Sequence, residues 1–133
     1  MSVMNKHFDN DFIVQQKNRL LEMRREVMNK IHAQDKEDIA VPPEEMIEEG
    51  DIAQTFLNQE LSFELREREL RRLREIDAAL AKIDDGTYGI CEETDEPISR
   101  KRLEKMPWTR LSIQAAEQEE RDGRQYVGNQ RAG

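Results

Sequence analysis

Carboxylates are concentrated in one short stretch of the chain. Between Asp35 and Asp51 there are eight acidic residues and a single lysine. Such a cluster repels itself and nothing local requires it, which favours a function over a merely solvated surface. Glu48 and Asp51 are three residues apart and can share one helix face, where carboxylates can contact a divalent cation such as Mg²⁺. The stretch is therefore compatible with a weak metal contact, although no metal site is predicted, or with a surface that docks a basic protein.

The second candidate for chemistry is Cys91, the only cysteine in the sequence. One thiol cannot form an intramolecular disulfide, and this cysteine usage suits a reducing cytoplasm, where we expect the protein to be located. His7 and His32 lie far from Cys91 in sequence, so a metal site rebuilt from histidine is not expected. The sequence shows no nucleophile–base pair and no phosphate-binding loop, which argues against a conventional enzyme.

The composition limits both the size of the core and the class of partner. Of the 133 residues, 36% are hydrophobic and 38% are charged, which predicts long solvated helices in one domain, or in a small domain with an extension. The net charge of −8 argues against autonomous DNA binding. No apolar run is long enough to cross a membrane, and residues 1–12 lack the features of a secretory signal. The expected partner is therefore a protein.

Hydrophobic periodicity predicts two helices that position these groups. The first covers about residues 11–34, and Pro42 and Pro43 follow it. The second runs from Met46 to about Asp84. The two apolar stripes consist of Ile13, Leu20, Met23, Val27 and Ile31, and of Phe56, Phe63, Leu70, Leu73, Ile76, Leu80 and Ile83. Two such helices predict an antiparallel coiled-coil hairpin, whose second arm is about 55–60 Å long.

The stretch after the second helix has the frame of a metal site without its ligands. A four-thiolate zinc ribbon has two Cys-x2-Cys pairs, because a tetrahedral zinc ion needs two tight turns that face each other. Counted from Cys91, the second position of the first pair is Thr94. The pattern resembles the zinc-finger region of the DksA/TraR family of RNA polymerase-binding regulators. The residues that match the family's pattern are Tyr88, Gly89, Cys91, Ile98, Arg102, Leu103, Glu104 and Pro107. By this resemblance the second pair falls on Ser112 and Ala115, so the chain is a cysteine-depleted variant in which we expect no structural zinc and no other cofactor.

Packing is expected to replace the metal in this base. The predicted replacement core consists of Tyr88, Ile90, Ile98, Leu103, Met106 and Trp108. Burial of such groups contributes about 1.5–3 kcal/mol each, and Cys91 is expected to pack as a small hydrophobic residue. The predicted fold class is therefore mainly α, with a long antiparallel coiled-coil hairpin on a small zinc-ribbon-like globular base without metal, plus a C-terminal helix.

This organisation divides the chain into four parts. Residues 1–10 are an N-terminal segment, and residues 11–85 are the hairpin, with its tip near residues 35–53. Residues 86–108 are the degenerate zinc-finger-like base. Residues 109–133 contain the last helix, about Thr109–Gln125, and a frayed tail.

The resemblance continues into the carboxylate-rich stretch. The family carries Asp-x-x-Asp-x-Ala at its hairpin tip, and here Asp51 and Ala53 match the second Asp and the Ala, while Glu48 replaces the first Asp. The resemblance covers about residues 44–117. It implies a regulator that binds RNA polymerase, inserts its acidic tip into the secondary channel and modulates initiation, for example at ribosomal RNA promoters. We expect it to act as a monomer and independently of zinc.

The resemblance also implies where ligands and polymerase would be contacted. The family's basic residues for the alarmone ppGpp fall here on Glu75, Met106 and Ala116, none of which is cationic. A polyphosphate needs charged hydrogen-bond donors, so a shared ppGpp site is expected to be weak or altered. Arg68 and Arg102 match family arginines and are the candidates for polymerase contacts.

Two other functions fit the same pattern. Transcript-cleavage factors also carry acidic tips on coiled coils, and their carboxylates hold a catalytic Mg²⁺. A structural adaptor could use the same tip to dock a basic protein. The base pattern and the Asp-x-Ala spacing favour the non-cleaving regulator. RNA cleavage in a backtracked complex, or a lack of affinity for core polymerase, would distinguish the alternatives.

Overall fold

Four helices form the part of the chain that the structure describes. The computed structural model describes the backbone of residues 5–39 and 49–132 and the side chains of residues 5–35 and 51–124. The helices are α1 (Asn10–Ile39), α2 (Glu49–Asp85), α3 (Arg100–Lys105) and α4 (Ile113–Ala132). None of them is long and apolar enough, over these ranges, to cross a membrane. The predicted mainly α fold with a long α1–α2 hairpin is confirmed.

The hairpin helices differ from the predicted bounds at the end of α1. The sequence predicted a break after residue 34, but α1 continues to Ile39. An ion pair explains part of this extension, because Arg66 Nη2 on α2 lies 2.7 Å from Asp35 Oδ1. Met46 and Glu48, predicted at the start of the second helix and at the tip, lie outside the described residues.

The last helix begins later and ends later than predicted. It starts at Ile113 rather than near Thr109 because Ser112 caps it: the Ser112 hydroxyl accepts a hydrogen bond from the Ala115 N–H at 3.2 Å. Its helical backbone continues to Ala132, over most of the stretch predicted to be a frayed tail.

Residues 21–77 form one compact unit in which α1 and α2 run antiparallel. Arg24 Nε lies 2.7 Å from Asp77 Oδ1, and the Asp35–Arg66 pair has the same distance. The two pairs are separated by eleven residues on each helix, in opposite directions, as antiparallel pairing requires. The buried apolar residues of this unit are Val27, Ile31 and Ile76.

The prediction that Phe56 and Phe63 belong to the buried stripe of the hairpin is wrong. Their side chains are 60% and 64% exposed. The less exposed positions in this half of α2 are Thr55 and Ser62, each one residue before a phenylalanine. Successive helical residues are rotated by about 100°, so both phenylalanines lie well away from that face. A seven-residue repeat identified an apolar stripe but not the face that is covered.

The second compact unit combines residues 1–20 with residues 78–133 and contains the base. Its buried apolar side chains are Phe12, Leu20, Ala79, Ile83, Tyr88, Cys91, Ile98, Leu103, Leu111 and Ala115. Three members of the predicted replacement core, Ile90, Met106 and Trp108, are only half-buried. Leu111 and Pro107, which were not members of the predicted replacement core, are buried.

A short helix in the base was also missed. The Ser99 hydroxyl accepts a hydrogen bond from the Arg102 N–H at 3.2 Å, which caps α3 at its first turn. Leu103 is the fully buried residue of α3 and anchors it to the core of the base.

Candidate functional site

Two of the three predicted tip residues lie within the described part of α2. The helix begins at Glu49, so Asp51 lies in its first turn, and both Asp51 and Ala53 are exposed. The positive end of the helix dipole favours a carboxylate at this position. Glu48 lies outside the described residues. The Asp51 carboxylate is therefore exposed near the start of a long helix, and its role as an effector stays a prediction.

The arginine-rich segment of α2 follows in the same unit. Arg66 is paired with Asp35 on the opposite helix of the hairpin. Arg68, the predicted polymerase contact, is exposed. Its accessibility is what a contact residue needs, and its role stays a prediction.

The other predicted contact, Arg102, lies in the base and is half-buried. Its Nε donates a hydrogen bond to the Leu111 carbonyl oxygen at 2.9 Å, across the segment that leads into α4. This bond gives Arg102 a structural role in the base. A contact with polymerase stays a prediction for the rest of its guanidinium group.

The four degenerate ligand positions come together in the base. The buried thiol of Cys91 accepts hydrogen bonds from the backbone and side chain of Thr94 and of Ser112. The Ser112 hydroxyl is bonded in turn to the Ala115 N–H, and Thr94 and Ala115 line the same surface depression. The two turns of a zinc ribbon thus still face each other, with a sulfur atom between them.

These hydrogen bonds change the acidity of the thiol. Burial raises the pKa of Cys91, but the donors of Ser112 and Thr94 outweigh it and lower the pKa from 9.0 to about 6. Hydrogen bonds to a sulfur anion favour the charged form over the neutral thiol. Cys91 is buried in the apolar core of the base, as expected of a small hydrophobic residue, and it is also close to hydrogen-bond donors of both turns.

The donor set at these positions does not fit zinc. A structural site needs four thiolate or imidazole ligands, whereas this one offers one sulfur, two hydroxyl groups and a methyl group. Over the described residues no three His, Cys, Asp or Glu side chains are placed to hold a metal ion. The hydroxyl groups of Thr94 and Ser112 instead act as hydrogen-bond donors towards the sulfur.

A buried hydrogen-bond network, centred on Gln16, connects α1 to the base. The Gln16 amide Nε2 donates to the Leu103 carbonyl at 2.7 Å and to the Tyr88 hydroxyl at 3.0 Å. The Tyr88 hydroxyl donates to the Pro107 carbonyl at 2.8 Å, and Arg19 Nη1 donates to Gln16 Oε1 at 2.9 Å. Burial, as the largest effect, raises the pKa of Tyr88, so the phenol stays protonated as a donor. We call this set the Gln16 network.

Sequence reasoning missed Gln16. It lies four residues after Phe12 and four before Leu20, so it occupies the middle of the buried stripe of α1. A polar residue in the middle of an apolar stripe was the available signal, because a buried amide must find partners.

The segment before α1 packs on the turn that precedes Cys91. Asn5 Nδ2 donates to the Tyr88 carbonyl at 2.7 Å. Gly89 has φ +83°, and a Cβ atom there would collide with the ring of Phe8. The Arg100 guanidinium lies 4.4 Å from the centre of the Phe12 ring, a cation–π distance. Residues 5–12 therefore help to close the base.

An exposed ion-pair network joins α2, the first turn and α4. Lys82 pairs with Glu92, and Arg110 Nη1 lies 3.2 Å from Glu92 Oε2. Arg110 Nη2 also lies 3.1 Å from Glu119 Oε1. The hydrogen bond from Lys82 is the main reason that the pKa of Glu92 is lowered. Each exposed pair is worth little alone, but together they orient the start of α4.

Three residues that the resemblance aligns with the family's ppGpp contacts are described, and a role for them stays a prediction. Glu75 is exposed, and Met106 and Ala116 are half-buried.

Comparison with known proteins decides the family. Residues 86–121 match the family model described as the prokaryotic dksA/traR C4-type zinc finger. The structure of transcription factor DksA2 from Pseudomonas aeruginosa is 32% identical, covers 89% of this chain and 90% of its own, and superposes with a TM-score of 0.77. The chain belongs to the DksA/TraR family. The predicted resemblance is confirmed, and the single cysteine makes this member a variant of the four-cysteine pattern.

Curated relatives of this DksA/TraR family member align over a shorter region. The RNA polymerase-binding transcription factor DksA of Caulobacter vibrioides is 40% identical over 54% of this chain and 51% of its own length. An uncharacterized protein of Aquifex aeolicus is 47% identical over 58% of this chain and 53% of its own length. The chain spans about half the length of the curated relatives it matches.

Proposed function

We propose that this protein is a transcription regulator that binds RNA polymerase directly and acts through its acidic tip in the secondary channel. The observation that carries the proposal is the match over nine tenths of the chain to a transcription factor of the DksA/TraR family. The curated relative from Caulobacter vibrioides is named as an RNA polymerase-binding factor, which supports the same partner here. The role is regulatory rather than enzymatic.

The tip supports this mechanism through its chemistry and position. Asp51 and Ala53 are exposed in the first turns of a helix that continues to Asp85. A carboxylate near the start of a helix of 37 residues, about 55 Å long, can reach into a narrow channel. There it shifts the stability of promoter complexes.

Independence from zinc is part of the proposal. In place of a metal ion, the two turns are stabilised by the hydrogen bonds to Cys91, by the Gln16 network and by the buried apolar core. No metal ligand set is needed for this, so chelation leaves the fold and the activity unchanged. The ppGpp response is weak or altered, because Glu75, Met106 and Ala116 supply no positive charge.

Transcription in vitro from a ribosomal RNA promoter tests the proposal. We expect the wild type to bind polymerase and inhibit, and Asp51→Asn to bind but not inhibit. Asp84→Asn, an exposed carboxylate at the other end of α2, is the matched control and should inhibit like the wild type. Inhibition should be similar with and without ppGpp. A wild type that neither binds nor inhibits contradicts the proposal and favours an adaptor, while RNA cleavage in a backtracked complex favours a cleavage factor.

A further inference from the structure

The half of α2 next to the tip exposes apolar side chains that the hairpin does not cover. Nine large hydrophobic side chains are exposed within the described residues, and six of them lie between residues 52 and 65. These six are Ile52, Phe56, Leu57, Leu61, Phe63 and Leu65. Exposed apolar residues gathered in one segment mark an interaction surface, whereas scattered ones need no explanation.

These six residues form two stripes on different sides of the helix. Ile52, Phe56 and Phe63 are spaced by four and seven residues and form the phenylalanine stripe. Leu57, Leu61 and Leu65 are each four residues apart and form the leucine stripe. With 3.6 residues per turn, the centres of the two stripes are about 160° apart around the axis. The less exposed face, with Thr55 and Ser62, lies between them on one side.

A helix with apolar surface on opposite sides is suited to being enclosed rather than laid on a flat partner. A flat surface would cover one stripe and leave the other in water. A cleft covers both at once. The geometry of residues 52–65 therefore points to a partner with two apolar walls.

The charge of this segment defines the partner further. Residues 49–65 contain four carboxylates and no lysine or arginine. The four are Glu49, Asp51, Glu60 and Glu64. A second copy of this segment would bring like charges together around its stripes, which disfavours self-association. A partner whose cleft is lined by lysine or arginine around its apolar walls is complementary.

We infer that residues 52–65 of α2 are held between two apolar walls of a basic cleft, and that the two stripes supply most of the affinity for the partner. This inference rests on the proposed function, so the cleft belongs to RNA polymerase. It assigns separate roles within one helix: the stripes bind, and Asp51 produces the effect on initiation. Large apolar side chains that become fully enclosed dominate the energetics of such interfaces.

Binding to purified core RNA polymerase tests the inference. One variant combines Phe56→Gln with Phe63→Gln, and another combines Leu57→Gln with Leu61→Gln. Glutamine keeps helix propensity and removes apolar area. We expect each double variant to raise the Kd by about tenfold or more. Leu21→Gln, an exposed leucine on α1 of the same unit, is the matched control and should change the Kd by less than about twofold.

The outcomes separate the inference from the proposed function. If the wild type binds polymerase and neither double variant weakens binding, the stripes carry no affinity and the inference is overturned while the proposed function stands. If only one stripe matters, the two-walled cleft is overturned. If the wild type does not bind polymerase, both fail. If the free wild type is a dimer and either double variant is a monomer, the stripes form a self-interface and the inference is overturned. Equal helical circular dichroism in all variants establishes that each is folded.

Discussion

Replacement of Gln16 by alanine tests whether buried hydrogen bonds stabilise the base. The substitution removes the donor to the Leu103 carbonyl and the donor to the Tyr88 hydroxyl. The Tyr88 hydroxyl keeps its own bond to the Pro107 carbonyl, so only the Leu103 oxygen is left without its side-chain partner. Arg19 loses its acceptor as well, but the Arg19–Gln16 contact is only partly buried and its loss costs less.

The expected magnitude follows from these contacts. An unsatisfied buried carbonyl costs about 1–3 kcal/mol, and each remaining lost bond costs about 0.5–1.5 kcal/mol. Alanine favours the helix slightly more than glutamine does, which offsets a few tenths of a kcal/mol. We therefore expect Gln16→Ala to lower the free energy of unfolding by about 2–4 kcal/mol. This is on the order of a third of the stability of a typical domain, about 5–15 kcal/mol.

Urea unfolding is the assay, followed by the fluorescence of Trp108, which lies in the base. Gln15→Ala is the matched control, because Gln15 is the exposed neighbour on the same helix. We expect the control to change stability by less than about 0.5 kcal/mol. If Gln16→Ala is no more destabilising than Gln15→Ala, the Gln16 network does not stabilise the base, and the reasoning that it helps to replace a metal is refuted.

Three further predictions concern the base and α4. Gly89→Ala should destabilise the protein by about 1–2 kcal/mol or more, because φ at Gly89 is +83° and the Phe8 ring fills the space that the new methyl group would need. Gly123→Ala in α4 is the matched control: its methyl group meets nothing, so it should stabilise the protein by about 0.5–1 kcal/mol. Thermal unfolding compares the two variants, and equal shifts in Tm would contradict the prediction. The pKa of the Cys91 thiol is about 6 in the folded protein and 9.0 ordinarily, so between these pH values the unfolded chain binds more protons than the folded one. The free energy of unfolding should therefore rise with pH from about 6 to about 9, by at most about 1.4 kcal/mol per pH unit. Urea unfolding across this range should show the rise in the wild type and a flatter profile in Cys91→Ala; parallel profiles would show that the thiol does not titrate as described. Arg110→Ala breaks exposed pairs with Glu92 and should cost no more than about 1 kcal/mol at low salt and less at 1 M salt, where such pairs are screened; a cost that is independent of salt in unfolding experiments would rule out this electrostatic origin.

The hairpin could be predicted from the sequence because its signals are local. The apolar spacing in α1 and α2 and the prolines between them set the helices to within a few residues, apart from residues 35–39. That extension depends on a contact between helices, the Asp35–Arg66 pair, which periodicity does not reveal. The same limitation explains Phe56 and Phe63: a repeat shows that a stripe exists, but only tertiary packing shows which stripe is covered.

The base could be predicted in outline but not in chemistry. The turn residues around Cys91 and the position of Thr94 were readable from spacing. The bonds from Ser112 to the sulfur of Cys91 join residues 21 positions apart and depend on how the two turns meet. Gln16 is still further away in sequence, so its bonds to Tyr88 and Leu103 appear only in the folded chain. Trp108 was predicted to be a core residue but is half-buried, because the size of an apolar side chain does not by itself decide whether it is buried.

The tip was predicted by motif and stays a functional prediction. Asp51 and Ala53 are exposed at the start of α2, as an effector tip requires. Two of the exposed residues that follow them, Phe56 and Phe63, had been predicted to lie in the hairpin core. Because these side chains are exposed, this part of α2 is a candidate surface for binding a partner rather than part of the hairpin core.

The most direct test of a zinc-free regulator is inhibition of a ribosomal RNA promoter by this protein after exhaustive dialysis against EDTA, with the chelator kept in the assay. A four-cysteine member of the DksA/TraR family, treated in the same way, is the control that the chelator removes zinc where zinc is bound. We predict that this protein inhibits equally with and without EDTA, contains less than about 0.1 zinc per chain by metal analysis, and retains its helical circular dichroism. Loss of inhibition together with loss of helix on chelation, restored by added zinc, would contradict the account.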